Sequence, residues 1–134
     1  MSAAETNRRL VRRLAEIVNE RAFDAIEEVA GGQVARDAAR WVGPFARSFP
    51  DFRMEVVDVI AEADRAVGYF TCSGTHQGEW RGIPASGRRF EAVDEIYIFR
   101  VKDGKLDSTV AAVEDNLTRM RQLGLEPSSP DAAG

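Results

Sequence analysis

The spacing of apolar residues changes once along this chain, at Phe49-Pro50-Asp51. Before this point apolar side chains recur every three or four residues, which is typical of helices with one buried face. After it, runs rich in β-branched and aromatic residues alternate with short polar turns, which is typical of antiparallel strands. A helical half followed by a strand half predicts an α+β fold in which helices cover one face of a sheet.

The helical half contains two predicted segments, residues 7–29 and 34–48. Thr6 or Asn7 is a suitable cap for the first segment, which we expect to bend near residues 19–23. Gly43-Pro44 lies inside the second segment and predicts a kink or a short break, because proline removes a backbone donor and disfavours a helical residue before it.

The strand half is predicted to form a strongly curved, mostly antiparallel sheet, wrapped by the N-terminal helices around a cone-shaped cavity. Its strands are residues 52–61, 65–76, 89–101 and 106–113. Asp103-Gly104 is a strong hairpin signal between the last two strands. A short helix follows at 115–123, with Asp115 as its N-cap and with Leu117, Met120 and Leu123 expected to face inward.

Length and composition limit the class of protein. A chain of 134 residues is one domain, which we place at residues 1–125, with a disordered tail at 126–134. A net charge of −4 argues against a nucleic-acid partner. One cysteine and one histidine exclude an internal disulfide and a Cys- or His-rich metal site. No apolar run approaches the ~18 residues of a membrane span, so we expect a cytoplasmic protein without a membrane partner.

The most specific motif is the segment Gly74–Arg88, GTHQGEWRGIPASGR. It resembles the G-T-H-x-G-x-x-x-G-x-P-x-x-G-R stretch of the SnoaL-like polyketide cyclase family, within the nuclear-transport-factor-like (ketosteroid-isomerase-like) superfamily. Further similar segments follow the family's order: residues 7–29, Phe49-Pro50-Asp51-Phe52, residues 61–65, Ile98-Phe99-Arg100, residues 103–105 and Arg121-Gln122-Leu123-Gly124.

The resemblance implies an α+β barrel around one apolar cavity, and a homodimer or larger assembly. It also implies an enzyme of natural-product biosynthesis, such as antibiotic biosynthesis, that acts on a hydrophobic polyketide-like substrate without a cofactor. Cyclisation, isomerisation or dehydration would fit this description. Ring closure of polyketide esters and hydroxylation both occur among relatives, so the fold alone does not fix the reaction.

The chain departs from the cyclase pattern in three places. The family's acid–base Asp, which follows the Asp-Gly-Lys turn, falls on Ala111 or Ala112. A His that some cyclases carry six residues before the aspartate of the turn is Tyr97. Residues 29–33 are too short for a strand that usually supplies a polar pocket residue. The ordinary aldol mechanism is therefore not expected here.

Strand alternation selects other acid–base candidates. Glu95, Tyr97 and Phe99 share one face of their strand, and the resemblance implies that this face points into the cavity. A carboxylate in an apolar cavity has a raised pKa that suits proton transfer, so Glu95 is the predicted acid–base group. Tyr97 is a predicted hydrogen-bond donor to substrate oxygen. A slip of one residue would put Asp94 in the place of Glu95.

The resemblance places His76 at the cavity mouth as a third catalytic candidate, with a structural histidine as the alternative. The predicted substrate-binding residues are Trp41, Phe45, Phe70, Cys72 and Phe99. No phosphate loop, dinucleotide fingerprint or metal-ligand spacing appears, so no cofactor or metal is expected.

Three functions compete at this stage. The first is the cofactor-independent acid–base enzyme, and the second is a hydroxylase-type relative in an aromatic polyketide pathway. The third is a non-catalytic binding or dimeric interaction module, which predicts a filled cavity, with Glu95 and Tyr97 exposed or fully locked in internal bonds. Outward-facing Ile96 and Ile98 predict a homodimer through the outer face of the sheet.

Overall fold

The computed structural model describes residues 1–125, so the predicted tail at 126–134 lies outside the described residues. The chain is an α+β protein with a curved four-stranded antiparallel sheet in the order β1-β2-β3-β4. The helices are α1 (Ala3–Glu20), a 3-10 helix (Phe23–Glu28), α2 (Gly32–Ser48) and α3 (Asn116–Gln122). The strands are β1 (Arg53–Ala61), β2 (Arg65–Thr75), β3 (Arg89–Lys102) and β4 (Lys105–Glu114).

Helix α1 begins earlier than the sequence predicted. The Ser2 hydroxyl, rather than Thr6 or Asn7, caps it by accepting the Glu5 N–H at 3.1 Å. Asn7 is buried instead, and its amide donates to the carbonyls of Glu62 and Ala63 at 2.8 and 3.0 Å. This contact ties α1 to the turn between β1 and β2. The predicted bend is present, because Arg21 adopts a left-handed conformation that ends the helix.

Helix α2 continues through Gly43-Pro44 without the predicted break. Proline removes only one hydrogen bond within the helix, and the helix is held on both sides of it. Val34 packs into one buried cluster and Phe45 against the other. Trp41 was expected on this inward side, but 73% of it is exposed.

Helix α3 presents a different face from the predicted one. Asp115 caps it as predicted, accepting the Thr118 N–H at 3.0 Å. Leu123 is buried as expected, whereas Leu117 is 44% exposed. Arg119 is fully buried in its place. The reason is a carboxylate on β3 that this arginine pairs with, so an ion pair has overridden the apolar pattern.

The β3–β4 hairpin contains two irregularities that shift its register. Lys102 pairs with Lys105 beside the turn, as a regular hairpin requires. Shifts near Val101 and Ile98 then move the pairing by one residue each. As a result Glu95 stands opposite Glu114.

Two buried apolar clusters lie under the helices, one centred on Val11, Phe70 and Phe99 and the other on Phe49, Phe90 and Trp80. Both clusters contribute side chains to the wall of one cavity. Among the described residues, no helix is long and apolar enough to cross a membrane.

Candidate active site

A cavity of about 1270 Å³ lies between the helices and the inner face of the sheet. This volume is somewhat above the range of about 300–1,000 Å³ that is typical of small-molecule sites. The predicted binding residues Phe45, Phe70, Cys72 and Phe99 all line it. Trp41 also borders the cavity, but its high exposure places it at the opening rather than over an enclosed ligand.

Strand β3 places Glu95 and Tyr97 in the cavity wall. Asp94 points to the opposite face, where it accepts the Tyr69 hydroxyl at 2.7 Å. Glu95 is only 4% exposed. Because alternate residues of β3 face opposite sides of the sheet, the buried carboxylate of Glu95 lines the cavity and the exposed carboxylate of Asp94 does not.

Groups from three elements lie next to Glu95. Its Oε2 lies 2.7 Å from Nη2 of Arg119 on α3, and its Oε1 accepts the Tyr97 hydroxyl at 2.6 Å. The Cys72 side chain, from β2, lies close to this carboxylate. These partners fix the position of the Glu95 carboxylate without closing the cavity in front of it.

Apart from its acidic partners, the guanidinium group of Arg119 is next to aromatic rings. Its guanidinium lies 4.8 Å from the centre of the Phe90 ring and 5.3 Å from that of Phe45. Nη1 donates to the Asn116 amide oxygen and lies 3.5 Å from Oε2 of Glu114. Nε has no hydrogen-bond partner among the described residues. A cation so desolvated is stable only because it is paired.

Glu114, at the end of β4, brings a second carboxylate to the same place. Its Oε1 is 3.1 Å from the Tyr97 hydroxyl, and 36% of its side chain is exposed. The Tyr97 hydroxyl thus lies between two carboxylates, one buried and one open to solvent. One arginine, Arg119, faces both of them.

The pKa values of this cluster follow from burial and like charge. Burial raises the pKa of Glu95, and the neighbouring Glu114 charge raises it further, although the Tyr97 hydroxyl and Arg119 act in the opposite direction. Burial and the two carboxylates raise the pKa of Tyr97 as well, which keeps its hydroxyl protonated and a donor. Burial likewise raises the pKa of Cys72, so its thiol is not a nucleophile.

His76 does not line the cavity, so the prediction that it lies at the cavity mouth is wrong. It is fully buried, and its Nδ1 lies 2.9 Å from the Ser86 hydroxyl and accepts the Ser86 N–H at 3.3 Å. Its ring packs beside Phe49 and Trp80. This corresponds to the structural alternative, in which the histidine holds the loop at residues 77–88.

The predicted loss of the family's aspartate has a clear structural counterpart. Ala112 pairs with Tyr97 across the hairpin, so an acidic side chain there would stand beside the tyrosine hydroxyl. Ala111 pairs with Ile98. Both alanines border the cavity without offering a polar side chain.

Sequence reasoning missed Arg119 and Glu114. Counting from the Asp-Gly turn in regular register puts Ala112, rather than Glu114, opposite Glu95. The signal for Arg119 was its position four residues before the buried Leu123, on the same side of a helix. Within residues 1–125, no three His, Cys, Asp or Glu side chains gather as ligands of a metal ion.

The family model for SnoaL-like polyketide cyclases matches residues 8–123, and the chain therefore belongs to that family. TsrD from Streptomyces laurentii is similar in structure, with 28% identity, a TM-score of 0.78 and coverage of 90% of this chain and 96% of that one. IdmH, a candidate polyketide cyclase from Streptomyces antibioticus, has 25% identity and a TM-score of 0.72, covering 88% and 98%.

AclR, a candidate hydroxylase from Streptomyces galilaeus, has the same fold at 23% identity, with a TM-score of 0.77 and coverage of 90% and 97%. None of the curated proteins matches this chain in sequence. The family and these neighbours support an enzyme-like role in a polyketide pathway.

Proposed function

We propose that this chain is a cofactor-independent acid–base enzyme acting on a hydrophobic, oxygen-rich polyketide-like molecule in natural-product biosynthesis. The observation that carries the proposal is Glu95, a buried carboxylate with a raised pKa in the wall of an open cavity. A carboxyl group of this kind gains and loses a proton closer to neutral pH than an exposed glutamate does.

The chemistry we assign is proton transfer next to a substrate carbonyl. An ionised carboxylate takes a proton from the carbon beside the carbonyl, and negative charge moves to the carbonyl oxygen. Once Glu95 is neutral it attracts the Tyr97 hydroxyl less strongly, which frees that hydroxyl to donate to the charged oxygen. The aromatic wall formed by Phe45, Phe70 and Phe99 gives the reacting atoms an apolar surrounding on one side. Cyclisation, isomerisation and dehydration can all begin with this step.

The open cavity argues against the binding-module alternative, although the contacts that hold Glu95 are ones that this alternative also predicts. The hydroxylase alternative fits the absence of an acidic side chain at Ala111 and Ala112. It differs from our proposal in requiring oxygen, which an anaerobic assay of the natural substrate would reveal.

Solvent-deuterium incorporation into 1-tetralone, an aromatic bicyclic ketone, tests the proposal directly. We expect the protein to accelerate exchange at the carbon beside the carbonyl, and Glu95→Gln to slow it by about 100-fold or more. Asp94→Asn is the matched control, since Asp94 is adjacent in sequence but faces away from the cavity. Tetralone that binds in the cavity, seen by NMR, without faster exchange would support the binding module instead.

We also propose a homodimer through the outer face of the sheet. Ile60, Ile96 and Val113 lie on this face and are 61%, 39% and 65% exposed. They belong to two cross-strand rows, Ile60-Val67-Ile98-Ala111, which is apolar on all four strands, and Asp58-Tyr69-Ile96-Val113, which begins with a charged residue on β1. Apolar side chains that continue across four strands are typical of a face that packs on another sheet.

A further inference from the structure

One cation, Arg119, forms ion pairs with the carboxylates of both Glu95 and Glu114. Arg119 lies 2.7 Å from Glu95 and 3.5 Å from Glu114. The two glutamates stand directly opposite each other on β3 and β4, where like charges repel. With both ionised, the cluster has an uncompensated negative charge next to an apolar cavity.

The hydrogen bonds of the Tyr97 hydroxyl also argue against both glutamates being ionised at once. It has one proton to donate, yet carboxylate oxygens lie 2.6 Å and 3.1 Å from it. A proton bound by either glutamate would supply the missing donor, because that carboxyl could then donate to the tyrosine oxygen. Charge and hydrogen bonding therefore both favour one extra proton shared between the two carboxylates.

The two carboxylates differ in access to a substrate. Glu95 is 4% exposed and is held by Arg119 and Tyr97. Glu114 has a side chain that is 36% exposed and also borders the cavity. The exposed carboxylate is the one that a ligand in the cavity can contact without breaking the ion pair.

We propose that Glu114 is a second catalytic residue: it shares one proton with Glu95 across Tyr97 and exchanges a proton with the substrate. In this step the C–H bond beside the substrate carbonyl breaks, its electron pair forms the enolate, and the proton binds to the Glu114 carboxylate. Returning that proton to carbon or oxygen restores Glu114. Arg119 then acts as a positioning residue, while Glu95 exchanges the shared proton with Glu114 through the Tyr97 hydroxyl. This inference rests on the proposed function.

The position of Glu114 explains how the chain can work without the aspartate of its family. The two register shifts in the hairpin bring Glu114, rather than Ala112, opposite Glu95. A longer acidic side chain two residues farther along β4 thus reaches the hydroxyl of Tyr97.

The rate at which the Glu114→Gln variant incorporates solvent deuterium into 1-tetralone tests the catalytic role of Glu114. We expect a loss of about 100-fold or more with tetralone binding unchanged. Glu62→Gln, on the exposed turn between β1 and β2, is the control and keeps the wild-type rate. If Glu114→Gln exchanges at the wild-type rate while Glu95→Gln does not, the inference is wrong and the proposed function stands. If the wild-type protein does not accelerate exchange, both fail.

A titration of the free protein tests the shared proton without any substrate. The ¹³C signal of the Glu95 carboxyl is followed against pH in wild type, Glu114→Gln and Tyr97→Phe. Removing the Glu114 charge should lower the midpoint, because ionised Glu95 loses a repelling neighbour. Removing the Tyr97 hydroxyl should raise it, because ionised Glu95 loses a donor. The other titratable or charged groups at the cluster, Cys72 and Arg119, are the same in all three proteins. An unchanged midpoint in Glu114→Gln would overturn the shared proton.

Discussion

Arg119 determines whether a carboxylate can stay buried at this site. It lies under the aromatic rings of Phe45 and Phe90, where an isolated cation would be unstable. Pairing with Glu95 compensates for the loss of water around both groups. The site therefore depends on a residue that has no direct place in the proposed chemistry.

Replacing Arg119 should lower the free energy of unfolding strongly, although this arginine has no direct place in the proposed chemistry. We expect Arg119→Met to lower the free energy of unfolding by about 3–5 kcal/mol, because Glu95 is left buried without its cation. The double variant Glu95→Gln, Arg119→Met should recover much of that loss. Urea unfolding of both proteins measures the difference.

Arg9→Met is the control for this pair of variants, since Arg9 is exposed on α1, away from the site. It should change the unfolding free energy by about 0.5 kcal/mol or less. Equal losses in the single and double Arg119 variants would show that packing, rather than the ion pair, accounts for the effect.

Alternation along a strand predicted that Glu95 and Tyr97 share one face, and the family resemblance predicted that this face lines the cavity. The same reasoning could not find Arg119, because the apolar pattern of α3 indicated Leu117, Met120 and Leu123 as the inward side. An ion pair between distant elements is a tertiary contact, and it leaves no periodic signal in either segment. His76 shows the opposite case, in which a motif residue supports a loop instead of lining the cavity.

Strand β4 shows the limit of prediction at the scale of elements. Its ends and its hairpin turn were predicted within one or two residues. The register was not, because the two shifts depend on how the strand bends around the core. Since each shift changes which residue stands opposite Glu95, the site could not be assembled from the turn alone.

The loop at residues 77–88 depends on a close approach at Gly78. Its N–H donates to the Ser48 carbonyl at 3.0 Å, and a Cβ atom there would collide with the carbonyl oxygen of Arg47. We expect Gly78→Ala to lower the free energy of unfolding by about 3 kcal/mol, because two backbone segments must separate. The same change should displace Trp80 from the cavity wall, and tryptophan fluorescence reports this.

Gly82→Ala in the same loop is a control that separates the steric collision at Gly78 from the general cost of replacing a glycine. Gly82 has a φ of 81°, but a methyl group added there would meet no atom within 4 Å. Its substitution should cost only about 1 kcal/mol, from the left-handed backbone. Similar losses at both glycines would contradict the proposed close contact.

The apolar outer face of the sheet is a property of the whole molecule. A free monomer would expose Ile60, Ile96 and Val113 together on this face. Burying about 800 Å² per subunit would be enough for a specific interface. The family match covers residues 8–123, so this face belongs to the matched domain.

Analytical ultracentrifugation tests the dimer. The wild-type chain should sediment as a dimer at micromolar concentration, and Ile96→Arg should sediment as a monomer that retains its fold. Leu117→Arg is the control, because Leu117 is an exposed apolar residue on α3 outside the sheet. A monomeric wild type, or a dimer that Ile96→Arg leaves intact, would exclude this interface.

The central claim is that Glu95, a buried carboxylate with a raised pKa, takes part in proton transfer in the cavity. The most direct measurement is the rate of 1-tetralone exchange as a function of pH, after subtraction of the rate in buffer. Because only the ionised carboxylate is a base, the rate should rise with pH. Its midpoint should lie above the ordinary glutamate value of about 4.3. Glu95→Gln should lose this rise. A protein-dependent rate that is flat with pH, or that has an ordinary midpoint, would contradict the account.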